Sequence, residues 1–230
     1  MTENSYIHDG HRNRMKEKFL KEGADAFHEH EILEILLYYA VPRKDTNPLA
    51  HKLLERFGSL AAVLDAPADV LQEFGLTRNA AVLLKLIPEI SRVYMDSRSS
   101  NTGIITEENI GERVLSKFVG RQNEIVVLML LDGKGQELYC DVVSKGSVNA
   151  SEIYVRKLLE LAVKYNASTA VLAHNHPSGM ALPSSRDIAT TKTVKQALKL
   201  VGVRLADHII VTDDDYMSMA QVEDYFELFK

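Results

Sequence analysis

Cysteine and tryptophan are nearly absent from this chain: Cys140 is the single cysteine among 230 residues, and there is no tryptophan. One thiol excludes a disulfide framework and any zinc site built from several thiolates. It also excludes a zinc-dependent nucleobase deaminase, because that chemistry requires a P-C-x-x-C motif. Cys140 falls in a strand-like segment, where we expect a small, buried apolar residue.

Long apolar runs and a strong charge of one sign are also missing. The longest apolar segments, such as IVVLMLL, are far shorter than the roughly 20 residues of a membrane-spanning helix. The first residues, MTENSYIHDGHRNRMKEKF, contain no apolar stretch typical of a secretory signal. A net charge of -5 gives no general attraction to nucleic acid. We therefore expect a cytoplasmic protein without a membrane partner.

The periodicity of apolar residues predicts two domains. Residues 1–97 show apolar spacings of three and four, which indicate helices. The polar stretch DSRSSNTG, residues 96–103, has no periodicity and is interpreted as a linker. In residues 104–230, strand-like runs such as EIVVLMLLD, TAVLAHNH and ADHIIVTDD alternate with helical segments. This alternation predicts an α/β layered domain with a crossover connection.

Two histidines, His174 and His176, stand at the end of the run TAVLA. Residues two apart on a strand face the same side, so both imidazoles are expected to point at one place. Asp187, at the predicted start of the next helix, can supply a third ligand. Catalytic zinc sites have three protein ligands of this kind plus water. A strand end and a helix start also meet at the sheet edge where α/β sites lie.

A second interpretation of the same loop is a capped helix. Ser184 fits the N-cap position, and Asp187 fits the third helical position. Acidic residues also favour the first turn because of the helix dipole. The two interpretations are compatible, since a capped helix start can hold a ligand rigidly.

The spacing H-x-H, seven residues, S, two residues, D resembles the signature of JAMM (MPN+) metalloproteases. It is met here at His174, His176, Ser184 and Asp187. The flanking AHNHPSG, together with EIVVLMLLD, KGSVNAS and LADHIIV, resembles the RadC branch over about residues 105–230. The resemblance implies a JAMM/MPN-type, cytidine-deaminase-like α/β layered domain, preceded by a small all-α, helix-hairpin-helix-like domain.

The resemblance also implies roles for individual residues. Zn²⁺ would be held by His174, His176 and Asp187, although such ligands also suit iron or manganese. Glu124 would be the general base, and the Ser184 hydroxyl would donate to the developing oxyanion. The implied activity is that of a metallopeptidase or isopeptidase acting on an unknown protein or peptide substrate. A zinc-containing peptide-binding module is the alternative without catalysis.

Several other residues compete for, or border on, these roles. Asp207 and His208 are expected to support the ligands or to pack, rather than to serve as a fourth ligand. Tyr154 and Lys157 stand where many RadC relatives have histidine and glutamate. Three further glutamates are rivals of Glu124 for the base: Glu137, Glu152 and Glu160.

The helical region suggests a different function. The segment FGSLAAVLDAPADVLQEFGLTRNAAVLLKLIPEI resembles a helix-hairpin-helix, a motif that binds DNA phosphates through backbone N–H groups. Its turn, Gly75-Leu76-Thr77, lacks the second glycine, and residues 1–100 contain 13 basic against 15 acidic residues. The alternative is thus a DNA-associated, repair-type protein in which the metal site has a nuclease or binding role. We favour a helical packing module over this alternative.

Overall fold

The computed structural model describes residues 4–42, 44–99, 103–145, 152–177, 179–212 and 215–230. The chain divides into two units, Met1–Ile90 and Ser91–Lys230. The boundary falls inside one helix, and each unit has its own buried apolar clusters. The predicted fold class, helical at first and then α/β, is confirmed by the arrangement of these elements.

The first unit is built from helices whose starts and ends are set by local chemistry. Ser59 caps one helix by accepting from the Ala62 N–H, and His28 forms a capping box with Glu31 at another. Gly58 ends a helix in the left-handed region, at φ 92°. Leucines dominate the buried side chains between the helices. The helices are α1 Asn4–Glu22, α2 Glu29–Tyr38, α3 Asn47–Phe57, α4 Leu60–Asp65, α5 Ala68–Glu73 and α6 Arg78–Ser99.

The second unit contains a five-stranded sheet in the order β2-β1-β3-β4-β5. Among these five strands, only β3 and β4 pair in parallel. The helix between them, Ser185–Leu200, returns the chain to the end of the sheet where β3 began. The strands are β1 Ile125–Leu131, β2 Glu137–Lys145, β3 Thr169–Asn175, β4 Arg204–Val211 and β5 Tyr216–Ser218. The helices are α7 Ile110–Leu115, α8 Glu152–Lys164, α9 Ser185–Leu200 and α10 Glu223–Phe226.

Both faces of the central strands are covered. Alternate residues of β1, such as Val126 and Leu128, pack in one cluster with Leu158 of α8 and Val194 of α9. The intervening residues of β1, such as Val127 and Met129, pack with Val114 of α7 in a second cluster. This two-sided burial explains why the run IVVLMLL has no polar residue. Cys140 is buried in the second cluster, as predicted, and burial raises the pKa of its thiol to about 12.

The interpretation of residues 96–103 as a linker is wrong for its first part. Helix α6 continues to Ser99, and Asp96 is 2.8 Å from Arg113 and 2.9 Å from Lys117. The polar character of this stretch therefore reflects ion pairing as well as exposure. Residues 100–102 lie outside the described residues.

Among the described residues, no helix combines the length and the apolar character that crossing a membrane requires.

Arg113 is the centre of a buried ion-pair network, with only 3% of its side chain exposed. Its guanidinium donates to both carboxylate oxygens of Glu137, at 2.6 and 2.7 Å, and to Asp96. Replacing Arg113 leaves Glu137 without its cation and Asp96 with Lys117 alone, so Arg113→Ala should lower the free energy of unfolding by about 3 kcal/mol. Denaturant unfolding followed by circular dichroism measures this change.

The matched control is Arg156→Ala. Arg156 also pairs with a glutamate, Glu160, at 2.8 Å, but 80% of its side chain is exposed. Exposed pairs of this kind contribute about 0.3–0.5 kcal/mol. Equal destabilisation by the two substitutions would contradict the importance assigned to the buried network.

Candidate metal centre

The two histidines of the H-x-H motif lie at the end of β3, at the edge of the buried core. His174 lies within the strand and is fully buried. His176 follows the last strand residue, and its backbone N–H continues the pairing with β4 by donating to Val211 O at 2.8 Å. Both side chains therefore emerge on the same face of the sheet. Their Nε2 atoms are 2.9 Å apart.

Asp187 reaches the same place from the first turn of α9. Ser184 is the N-cap of this helix: its Oγ accepts from the Asp187 N–H at 3.2 Å. In return, Asp187 Oδ2 accepts from the Ser184 N–H at 2.8 Å and from its hydroxyl at 2.6 Å. Asp187 Oδ1 also lies 3.3 Å from His174 Nε2, and Asp187 Oδ2 lies 3.5 Å from His176 Nε2. The same residue is thus both a capping residue and a member of the histidine cluster.

The electrostatics of Asp187 favour its charged form. Burial opposes ionisation, but the neighbouring His174 and the hydrogen bonds from Ser184 outweigh that effect and hold the pKa of the carboxyl well below its usual range. Asp187 is a carboxylate at neutral pH and can bind a cation without first losing a proton.

Three ligand atoms, one each from His174, His176 and Asp187, all lie within 4.8 Å of one another, and the group can hold a metal ion. Two ligands at about 2.0–2.1 Å from a tetrahedral zinc ion would be about 3.3 Å apart. The two imidazole nitrogens are 2.9 Å apart, and each lies 3.3 or 3.5 Å from one of the two Asp187 oxygens, so the separations are close to that value. The donor set and its spacing therefore fit a divalent ion with two imidazole nitrogens and one carboxylate.

The second nitrogen of each imidazole is also engaged. His176 Nδ1 is 3.3 Å from the Met180 carbonyl oxygen. Since that oxygen can only accept a hydrogen bond, Nδ1 carries the proton and Nε2 has the free lone pair. His174 Nδ1 is 2.8 Å from His208 Nε2. Hydrogen bonds of this type fix the tautomer and the orientation of a ligating histidine.

A directed chain of hydrogen bonds runs behind His174. His208 Nδ1 is 2.6 Å from Thr191 Oγ1. The Thr191 hydroxyl in turn donates a hydrogen bond to the backbone carbonyl of Asp187 at 2.7 Å. His208 must then donate to Thr191 and accept from His174, which requires a neutral ring. Complete burial, and then the nearby His174, lower the pKa of His208 well below its usual value and keep the ring neutral.

His208 therefore has the supporting position expected of the Asp207-His208 pair. Asp207 has a different environment: it accepts from the Ser218 hydroxyl at 2.6 Å and from the Ala220 N–H at 2.9 Å. Neither residue belongs to the group of three whose ligand atoms converge.

Glu124 immediately precedes β1 and is partly buried. Val126 pairs with His174 across the antiparallel strands, and continuing that register places Glu124 opposite His176. The rival glutamates have other environments: Glu137 binds Arg113, and Glu160 pairs with Arg156. The side chain of Glu152 lies outside the described residues.

Asn175, which the sequence analysis did not single out, fastens the Glu124 segment to the histidines. Its Oδ1 accepts from the Ile125 N–H at 2.8 Å. Its Nδ2 is 3.5 Å from Arg121 O and 3.3 Å from Asn123 O. Strand alternation directs this residue, between the two histidines, to the opposite face of the strand, but its contacts are long-range and have no signal in the local sequence.

The fold and the cluster together define an α/β domain with a group able to hold a metal ion at the end of a central strand. Similarity to known proteins identifies its family. Residues 104–224 match the family described as the RadC-like JAB domain. The chain is also similar to a UPF0758 protein of Fusobacterium nucleatum subsp. nucleatum. The two are 35% identical over 221 residues, which cover 92% of this chain and 95% of that protein. The chain belongs to the RadC family, and the predicted resemblance is confirmed.

The role of Asn175 leads to a test by amide hydrogen exchange. Asn175→Ala removes the acceptor for the Ile125 N–H, so that amide should exchange at least tenfold faster. Asn175→Asp is the matched control because it keeps an oxygen at the same position. Unchanged protection of Ile125 in the alanine variant would show that Asn175 does not anchor the segment.

Proposed function

We propose that this RadC family protein is a metal-dependent hydrolase of amide bonds, of the metallopeptidase or isopeptidase type, with Zn²⁺ as its metal. The observation that carries the proposal is the convergence of His174, His176 and Asp187, with each remaining imidazole nitrogen engaged by the protein. Three protein ligands leave a coordination position for water or substrate, as in catalytic rather than structural zinc sites. The family membership supports the same conclusion.

When bound, a zinc ion lowers the pKa of its water to about 7 and polarises the substrate carbonyl. His174, His176 and Asp187 hold the ion. His208 and Met180 keep the two rings in the tautomer that offers Nε2. The charged carboxylate of Asp187 offsets part of the positive charge of the ion.

Glu124 is the proposed general base. Its carboxylate takes the proton of the attacking water and returns it to the leaving amine, so that one group serves both half-reactions. The position of Glu124 opposite His176 supports this role. Anchoring of the neighbouring Ile125 by Asn175 would limit its movement.

Ser184 is the proposed oxyanion donor, and its hydroxyl proton is directed at Asp187 Oδ2. Donation to an oxyanion requires that the hydroxyl turn away from Asp187. The backbone N–H of Ser184 would still hold the carboxylate in that state, because it donates to the same oxygen.

Association with DNA through the helical hairpin is not part of this proposal. Gly75 has a positive φ of 105° at the turn, as such a hairpin needs. However, Thr77 Oγ1 accepts from the Ala80 N–H at 3.2 Å and so caps the start of α6. A helix start that is already capped offers fewer free N–H groups to a phosphate.

The metal assignment predicts the stoichiometry of bound zinc. Wild-type protein should bind one equivalent, and Asp187→Ala should bind it at least tenfold more weakly because one of three ligands is lost. Mass spectrometry of the metal after dialysis, with competition by a chelator, measures both values. Asp224→Ala, on an exposed helix end, is the control. Equal zinc content in all three proteins would rule out Asp187 as a ligand.

The general-base assignment predicts that Glu124→Gln keeps the metal and loses hydrolysis by about 10²–10⁴-fold. A cellular peptide library incubated with each protein and read by mass spectrometry reports the cleavage products. Glu160→Gln, a change at a rival and exposed glutamate, should cleave like the wild type. Cleavage products that persist in Glu124→Gln would exclude Glu124 as the base. No cleavage by any of the proteins, with zinc bound, would instead favour a peptide-binding module.

A further inference from the structure

A groove of about 460 Å³ lies along β2. In the described sheet β2 is an edge strand, so one row of its backbone groups faces away from β1. The groove is formed by five consecutive residues of this strand, Asp141–Lys145, together with Arg121 and Lys157.

The lining of the groove is basic, although the chain as a whole has a net charge of -5. It contains three cations, Arg121, Lys145 and Lys157, against one carboxylate, that of Asp141. The Asp141 carboxylate accepts from the N–H of its neighbour Val142 at 2.7 Å. In the described part of the chain, none of these three cations forms an ion pair. Basic side chains alone, however, are common on protein surfaces.

Arg121 sets this groove apart from an ordinary basic surface. Its Nε is buried and, within the described parts of the chain, has no hydrogen-bond partner. Buried donors on charged groups are almost always paired, so the described residues leave this guanidinium incompletely satisfied. Its terminal nitrogens, which are not among the buried unpaired atoms, are the donors available to a ligand in the groove. The backbone of Arg121 is also held in place. Its backbone N–H donates to Phe118 O at 2.9 Å, and its backbone carbonyl is contacted by Asn175 Nδ2.

Lys157 contributes a second fixed cation. Its ammonium donates to Val143 O at 2.7 Å and so lies against the backbone of the edge strand. An ammonium has three donors, and this bond uses one of them. Arg121 and Lys157 thus present donors whose geometry suits a carboxylate, with the planar guanidinium offering a fork.

The strand register relates this groove to the candidate metal centre. Ser144 of β2 pairs with Val126 of β1, which in turn pairs with His174 of β3. Two strand spacings of about 4.8 Å separate Ser144 from His174, or about 10 Å in all. An extended peptide covers that distance in about three residues.

We propose that the groove binds an acidic side chain of a peptide substrate, about three residues from the bond that is hydrolysed. This inference rests on the proposed function, because it extends the substrate of the same site. A peptide fits better than a nucleic acid, since the described residues of the lining include no aromatic side chain on which a base could stack. An edge strand additionally offers backbone groups to an extended peptide.

The test is a binding measurement that needs no turnover. The full-length Glu124→Gln protein, loaded with zinc, is titrated into a fluorescent peptide in which glutamates alternate with alanines. Fluorescence anisotropy should show binding that is about tenfold weaker for the corresponding glutamine peptide. Adding Arg121→Gln should weaken binding of the acidic peptide about tenfold, and Arg121→Lys should weaken it less, because the charge remains and the fork is lost.

The matched control is Arg204→Gln, because Arg204 is an exposed arginine at the first residue of β4, outside the groove. It should leave peptide affinity unchanged. Lys145→Gln is a second groove variant, with a smaller expected loss, in case Arg121→Gln fails to fold.

Equal affinity for the two peptides, or equal effects of Arg121→Gln and Arg204→Gln, would overturn the proposal. Tighter, Arg121-dependent binding of a single-stranded oligonucleotide would also overturn it, in favour of a nucleic acid. Because the readout is binding, its failure leaves the hydrolase proposal intact.

Discussion

The hydrogen bond between His174 and His208 is the contact on which the candidate metal centre depends. His174 is fully buried, so its Nδ1 requires a partner inside the protein, and His208 is the partner at 2.8 Å. The bond fixes which nitrogen of His174 carries the proton and where the other one points. Through Thr191 the same chain reaches the backbone of Asp187, which links two members of the cluster by hydrogen bonds.

The pairing of β1 with β3 is the second constraint. It sets Glu124 across from the histidines, and Asn175 reinforces this arrangement where the ladder ends. The two faces of the paired strands pack against different helices. One face packs against α8 and α9 and carries the histidines, while the other packs against α7. The side-chain alternation along a strand thus separates the chemistry from most of the structural support.

Much of this arrangement could be predicted from local sequence. Histidines two apart on a strand must share a face, and a short loop limits how far Asp187 can lie from them. The change of apolar period from helical to strand-like is likewise local, and it predicted the class of both regions correctly.

Contacts between distant segments could not be read in the same way. His208 is 34 residues from His174, and their meeting depends on the register of β3 and β4 across α9. The role of Asn175 likewise cannot be predicted from the residues around it, because its partner Ile125 is brought close by the pairing of β1 with β3. The linker interpretation failed for a related reason: the polarity of Asp96 is explained by Arg113, 17 residues further on. Polar residues paired through tertiary contacts have the same local pattern as solvated ones.

The capping box that holds Asp187 has a consequence for how the protein acquires its ion. Small zinc domains fold only when the metal arrives, because nothing else orders their ligands. Here Ser184 fixes the carboxylate, Met180 and His208 fix the imidazoles, and a large apolar core stabilises the strands behind them. The ligand geometry is preorganised by the fold, so loading can follow folding. Exchange of one divalent ion for another at such a site would then require little rearrangement of the protein.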